Sequence, residues 1–164
     1  MKSPTKILSV ADMEQRIRRI ACQVVEDNDG ETEMILIGIR ENGFPVAEKL
    51  SEQLALLSSI KITLAELRLN KSNPQTDEVK LNIPAAAIEG KVVLLVDDVA
   101  NSGRTLLYAM KPLLNFLPKK IQVAVLVDRK HKQFPVSADF VGISLSTGMQ
   151  EHVTVEMAEG AFLS

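Results

Sequence analysis

The sequence predicts an α/β fold, a mostly parallel sheet flanked by helices, on three observations. Short apolar runs alternate along the chain with helical stretches, the order that builds strand, helix, strand crossovers. Two of the runs, "EMILIGI" at 33–39 and "VVLLV" at 92–96, are apolar almost without a break, as strands covered on both faces are. Three runs end in polar or glycine-bearing turns, and in an open parallel sheet such ends line one crevice.

Each element has its own local reason. Ser9 followed by Asp12 has the form of a capping box, and Met13, Ile17, Ile20 and Val24 recur at helical spacing. Residues 10–27 are therefore predicted as an amphipathic helix whose other face carries Arg16, Arg18 and Arg19. After the strand at 33–39 comes the turn "RENG", and then "FPVAEKLSEQLALL" (44–57), with Pro45 near the first turn and Val46, Leu50, Leu54 and Leu57 on one face. "IKITLAELRL" (60–69) alternates before its phase shifts, which predicts a strand with a bulge. "NKSNPQTDEVKLN" (70–82) is polar without periodicity and reads as a mobile loop or an exposed hairpin tip. A helix over 104–117 is interrupted near Pro112, and "KIQVAVLVD" (120–128) is a further strand.

Bulk properties narrow the class. The 164 residues suffice for one domain spanning 1–164, and 46% hydrophobic with 24% charged residues excludes a disordered tail. A net charge of −2 means that any nucleic-acid or membrane partner must be met by a local patch. Cys22 stands alone, so no internal disulfide forms, and its neighbours Ile20, Ala21, Val24 and Val25 predict a buried thiol. "MKSPTKILSV" lacks the apolar core of a leader and no run is long enough to span a bilayer, which predicts a cytoplasmic protein without membrane contact.

The chemistry concentrates in "VVLLVDDVANSGRT". Two adjacent carboxylates at a strand end suffer mutual repulsion and desolvation unless a cation or hydroxyl donors face them. Asp97 and Asp98 are thus candidates for binding sugar hydroxyls or a divalent cation. The small-residue turn after them enters a helix and presents backbone N–H groups, with the hydroxyls of Ser102 and Thr105, to an anion. Read separately, Asp98 is a surface turn residue and Asn101-Ser102-Gly103 a helix cap. Together they describe a holder of a sugar phosphate.

This stretch resembles the signature of the type I phosphoribosyltransferases: apolar strand, two acids, two variable residues, then a hydroxyl- and glycine-containing loop ending in Thr. The resemblance implies a small hood on the sheet, Mg2+ as cofactor, and phosphoribosyl pyrophosphate with a nucleobase as substrates. It places Asp97 and Asp98 on the ribose hydroxyls and the metal, and wraps Ala100, Asn101, Ser102, Gly103, Arg104 and Thr105 around the 5-phosphate. Arg40, Glu41, Asn42 and Gly43 correspond to the pyrophosphate loop, and residues 70–82 to the flexible lid, with Lys71, and less so Lys80, as the cation reaching pyrophosphate. Receiver domains also show an "LLVDD" run, but near their start, whereas here it closes the third predicted strand.

"VAVLVDRKHKQFPVSADFVG" resembles the bifunctional pyrimidine-operon regulators with uracil phosphoribosyltransferase activity, as do "RIRRIACQVVEDN" and "ILIGIRENGFPVAEKLSEQL". Purine enzymes usually carry an Asp where Asn101 stands and a Lys where Asp128 stands, so the resemblance implies uracil as the acceptor. The regulators usually carry an aromatic at the position of Asn101 and a longer lid. By the same resemblance Arg129 touches substrate, and Phe140 and Val141 wall the base pocket, with Phe140 as plain core the alternative. Regulators of this kind bind a messenger RNA leader, for which Arg18, Arg19, Arg129, Lys130, His131 and Lys132 are candidates; a solvated turn and helix face is the alternative reading. Family members usually assemble as homo-oligomers.

Overall fold

The computed structural model describes residues 3–164; Met1 and Lys2, the start of the stretch read for a leader, lie outside them. In chain order it contains β1 (Thr5–Leu8), α1 (Val10–Asp27), β2 (Glu33–Ile39), α2 (Gly43–Leu57), β3 (Lys61–Arg68), β4 (Lys80–Leu81), β5 (Val92–Ala100), α3 (Arg104–Ala109), β6 (Lys120–Asp128), β7 (Phe140–Ser144), β8 (Val153–Glu156) and β9 (Gly160–Leu163). Six strands form the main sheet in the order β4-β3-β2-β5-β6-β7, parallel except for the short antiparallel β4. β1, β9 and β8 form a separate antiparallel sheet, the hood. None of these three strands was legible as a strand in the sequence, because each is only four residues long.

Alternation along the central strands decides which helices cover which face. Met34 and Leu36 of β2 with Val92, Leu94 and Val96 of β5 pack against Met13, Ile17, Ile20 and Val24 of α1 and Val46, Leu50 and Leu54 of α2. Ile35, Ile37, Val93 and Leu95 point the other way, onto Leu106 and Ala109 of α3, Leu113 and Ile88. Being buried on both faces is what made these runs continuously apolar.

Two expectations are corrected. β3 pairs with β2 in unbroken register from Glu33↔Lys61 to Ile39↔Leu67, so it contains no bulge. Its phase shift is a change of face, since Ile62 and Leu64 pack on the first cluster while Ala65 and Leu67 are buried in the second. Cys22 is exposed, because α1 turns Ala21 and Val24 inward and carries position 22 around to solvent.

Other local features follow from sequence. The capping box forms: Asp12 N donates to Ser9 Oγ (3.1 Å) and Ser9 N donates to Asp12 Oδ2 (2.9 Å). Ser9→Ala is expected to cost about 1 kcal/mol, lowering the melting temperature by roughly 2–4 °C; an unchanged calorimetric transition would show that packing alone holds α1. Within 70–82, residues 70–79 form the tip of the β3–β4 hairpin and Lys80–Leu81 its return strand. The helix after Gly103 ends at Ala109 and continues as a 3-10 turn, Lys111–Asn115, because Pro112 has no N–H to give. Among the described residues no helix is long and apolar enough to cross a membrane.

Candidate active site

β5 runs on past its apolar stretch, so Asp97 and Asp98 lie inside the strand, 1% and 6% exposed. Three contacts lessen the cost of that burial. Asp98 N donates to Asp97 Oδ1 (3.0 Å), and Lys71 Nζ donates to both oxygens of Asp97 (3.2 and 3.4 Å) and lies 3.9 Å from Asp98 Oδ1. They do not cancel it. Burial first, and the neighbouring Asp98 second, push the Asp97 carboxyl up to about 8 against the opposing pull of Lys71.

Two adjacent hard oxygen donors short of positive charge fit Mg2+, which takes one or two carboxylates and completes its shell with water and ligand oxygens. The Lys71 ammonium lies against these same oxygens. Lys80 is not brought here: it is exposed on β4, beside Arg68, Asn70 and Asp77.

The loop after β5 is fastened from behind. Gln133 N and Phe134 N both donate to Ser102 O (2.9 and 3.0 Å), while Arg104 N donates to Ser102 Oγ (3.3 Å). Gly103 has φ 86°, and a Cβ there would lie 3.2 Å from Val136 O, so only glycine makes this turn without strain. Ala100 departs from expectation: it is the last residue of β5, 3% exposed and paired with Asp128, so the loop proper starts at Asn101. Arg104 and Thr105 open α3, and Arg104 Nη2 donates to Lys71 O (3.0 Å), tying the β3–β4 hairpin tip to the loop. Lys71, Asp97, Val99 and residues 100–106 enclose a cavity of about 240 Å³. Val99 and Leu106, which sequence reasoning passed over as strand and helix filler, supply its apolar wall.

The predicted pyrophosphate loop approaches from β2. Gly43 touches the acids' own backbone: a Cβ on it would meet Asp97 Oδ1 at 2.8 Å and Val96 O at 2.9 Å. Glu41 and Asn42 are exposed beside it, and the Arg40–Glu41 peptide is cis. Arg40 itself turns away, its guanidinium 2.8 Å from Glu66 Oε1 on β3.

Other expected contacts are corrected. Phe140 and Val141 open β7, with Phe140 paired to Ala124 near the middle of β6 and buried in the core with α1. A parallel strand's first residues lie away from its carboxyl end, so these two do not wall the crevice. Arg129, 7% exposed, donates to Thr147 Oγ1 (2.9 Å), Asn101 Oδ1 (3.0 Å), Gly148 O (3.1 Å) and Glu151 O, so it faces neither solvent nor the cavity directly. His131 Nε2 lies 2.8 Å from Thr147 O, Lys132 donates to Val136 O (2.8 Å), and Arg19 donates to the carbonyls of Val141 and Gly142 on edge strand β7. Of the predicted basic surface, Arg18 and Lys130 remain exposed without such contacts. The partner loop 145–151 was missed, its one signal being the "STG" turn before β8.

Residues 4–158 match the model of the phosphoribosyl transferase domain. The chain is 35% identical to the bifunctional protein PyrR of Enterococcus faecalis over 160 residues, covering 94% of this chain and 90% of that one. With the PyrR of Oceanobacillus iheyensis the identity is 33%, covering 97% and 93%. Among solved structures, a hypoxanthine-guanine phosphoribosyltransferase from Bacillus anthracis superposes with a TM-score of 0.75 at 22% identity, over 89% of this chain and 86% of that one. The hypoxanthine phosphoribosyltransferase of Trypanosoma cruzi gives 0.75 at 20%, over 91% and 84%. A parallel sheet whose third parallel strand along the chain carries two buried acids and leads into a fastened small-residue loop, matched over nearly its whole length, makes this chain a member of the type I phosphoribosyltransferase family, similar within it to the PyrR proteins.

Proposed function

We propose that the protein transfers the 5-phosphoribosyl group of phosphoribosyl pyrophosphate to a ring nitrogen of a nucleobase, with uracil as acceptor, releasing pyrophosphate. The observation that carries this reading is the opening of buried Asp97 onto the same cavity as the 101–105 loop, with Asp98 beside it. A ribose hydroxyl pair and a 5-phosphate need such donors and acceptors a few ångströms apart. Similarity to PyrR proteins, together with Asn101 and Asp128 in place of the purine enzymes' acid and lysine, supports uracil.

In the reaction the bond from C1 of the ribose to the pyrophosphate oxygen breaks, and a bond from C1 to the base nitrogen forms while its proton leaves to solvent. Mg2+ held by Asp97 and Asp98 would supply neutralisation of the departing anion's charge. Asp97 and Asp98 hold the ribose hydroxyls; with Mg2+ bound, the carboxyl that burial raises at Asp97 comes down, and the pair's negative charge then favours the cationic sugar that develops at C1. Residues 101–105 anchor the phosphate, which places C1 against the base. Gly43 lets the pyrophosphate loop lie against Asp97. Lys71, Arg40 and Arg104 must leave their internal partners before they meet substrate anions.

Pyrophosphate release measured with Mg2+, phosphoribosyl pyrophosphate and each of uracil, hypoxanthine and guanine tests this. Uracil-dependent release is the expected result; release only with a purine overturns the acceptor, and no release with any base and no calorimetric binding of phosphoribosyl pyrophosphate overturns the transferase reading. A second reading, a regulator binding an RNA leader, is supported by the similarity to proteins named bifunctional. Filter binding of a pyrimidine-operon leader RNA should then weaken steeply with salt, whereas no retention at low salt would remove it.

A further inference from the structure

Arg129 is a buried cation that the proposed chemistry leaves unused. Among the described residues its salt-bridge partners are none, and its guanidinium is instead ringed by acceptors: Thr147 Oγ1, Gly148 O, Glu151 O and the carboxamide oxygen of Asn101. A guanidinium has donors only. Turning the Asn101 carboxamide over would set its Nδ2–H donors against Arg129 Nη1–H, donor against donor. The other three acceptors, two of them backbone carbonyls, keep Arg129 from rotating to relieve that clash. Asn101 is itself exposed and lines the cavity next to Asp97.

We infer that Arg129 is a positioning residue, which locks the Asn101 carboxamide so that its Nδ2–H donors face the cavity, and that the acceptor base is selected through an acceptor atom, a ring carbonyl oxygen, presented to them. The inference rests on the phosphoribosyl transfer reading for its ligand, though not for the orientation. It assigns Asn101 the part of a donor with no capacity to take up the base's proton. It also gives the 145–151 loop a function: its carbonyls aim Arg129, and Arg129 aims Asn101.

Two variants separate this from a merely structural role. Lysine at 129 keeps a donor-only group, while glutamine can offer either face and lets Asn101 turn. Arg129→Gln is expected to raise KM for uracil about tenfold or more, with KM for phosphoribosyl pyrophosphate within about twofold, whereas Arg129→Lys stays within about threefold for both. Equal effects of the two variants, or a rise confined to KM for phosphoribosyl pyrophosphate, would overturn the inference. Asn101→Asp, exposed and isosteric, covers the case in which neither Arg129 variant folds: with its donor gone, KM for uracil should rise about tenfold, and no change would overturn the assignment. The Asn101 side-chain NH2 signals in a 15N spectrum, assigned by their loss in Asn101→Asp, read the orientation without turnover. One set of signals in the parent protein is expected and two sets would overturn the lock. A parent protein with one set of signals and no turnover on any base fails the transferase reading alone.

Discussion

Asp97→Asn is expected to raise the thermal stability of the free protein at pH 8 while removing most of its activity. The folded state holds the Asp97 proton up to about 8, because burial and Asp98 disfavour the charge. The unfolded chain releases it near the ordinary carboxyl value of about 4. Between those two values the folded state binds the extra proton, so stability falls as pH rises through that window and levels off above it. Asparagine cannot ionise, keeps an oxygen to accept from Asp98 N and Lys71, and so removes that slope. Melting temperatures of the parent and variant should converge near pH 4 and separate toward pH 8, the variant higher. A variant that melts lower at pH 8 would show that the ion pair with Lys71 outweighs the desolvation. Pyrophosphate release should drop by roughly 10²–10³-fold, the scale on which loss of one preorganised electrostatic group acts. The stability gained and the turnover lost have one cause, a carboxylate kept in an unfavourable place for the sake of its charge.

Gly43→Ala is expected to cost both stability and turnover. Its Cβ would meet Asp97 Oδ1 at 2.8 Å, Asp97 Cα at 2.9 Å and Val96 O at 2.9 Å, and two of those three atoms are backbone of a central strand. Neither partner moves cheaply, so the start of α2 must lift away from β5. Overpacking of this kind costs about 1–3 kcal/mol, and displacing the 40–43 loop by a fraction of an ångström to an ångström lowers kcat/KM by up to roughly 10²-fold. Chemical denaturation and the uracil assay measure the two effects. A variant with parental kcat/KM would show that the 40–43 loop does not take part in holding the substrate.

The path from sequence to site was uneven for physical reasons that particular residues show. α1, α2, β2, β5 and β6 were legible because their periodicity is local and their caps and turns use local chemistry, as at Ser9 and Pro112. β1, β8 and β9 were not, since four residues are too few to show a period: β1 is held by β9 at the far end of the chain, as Thr5 is by Leu163, and β8 and β9 close on each other as a hairpin. The acids and the 101–105 loop were legible because one unbroken stretch carries both. The long polar side chains were not. Arg129, Arg19 and His131 read as a solvent-facing basic run, yet each is turned onto a carbonyl or hydroxyl of a segment distant in sequence, and Cys22 read as buried from neighbours that α1 points elsewhere.

By itself, then, the sequence determined the sheet's central strands, the acidic pair that follows the apolar run of one of them, and the small-residue turn after it, because a strand, a cap and a turn are written in adjacent residues. Only the tertiary structure decided that Lys71 lies on Asp97, that Arg40 pairs with Glu66 instead of facing the crevice, and that Arg129 holds Asn101. Those choices depend on which of several acceptors a flexible cation finds within reach, and reach is set by packing between elements far apart in the chain.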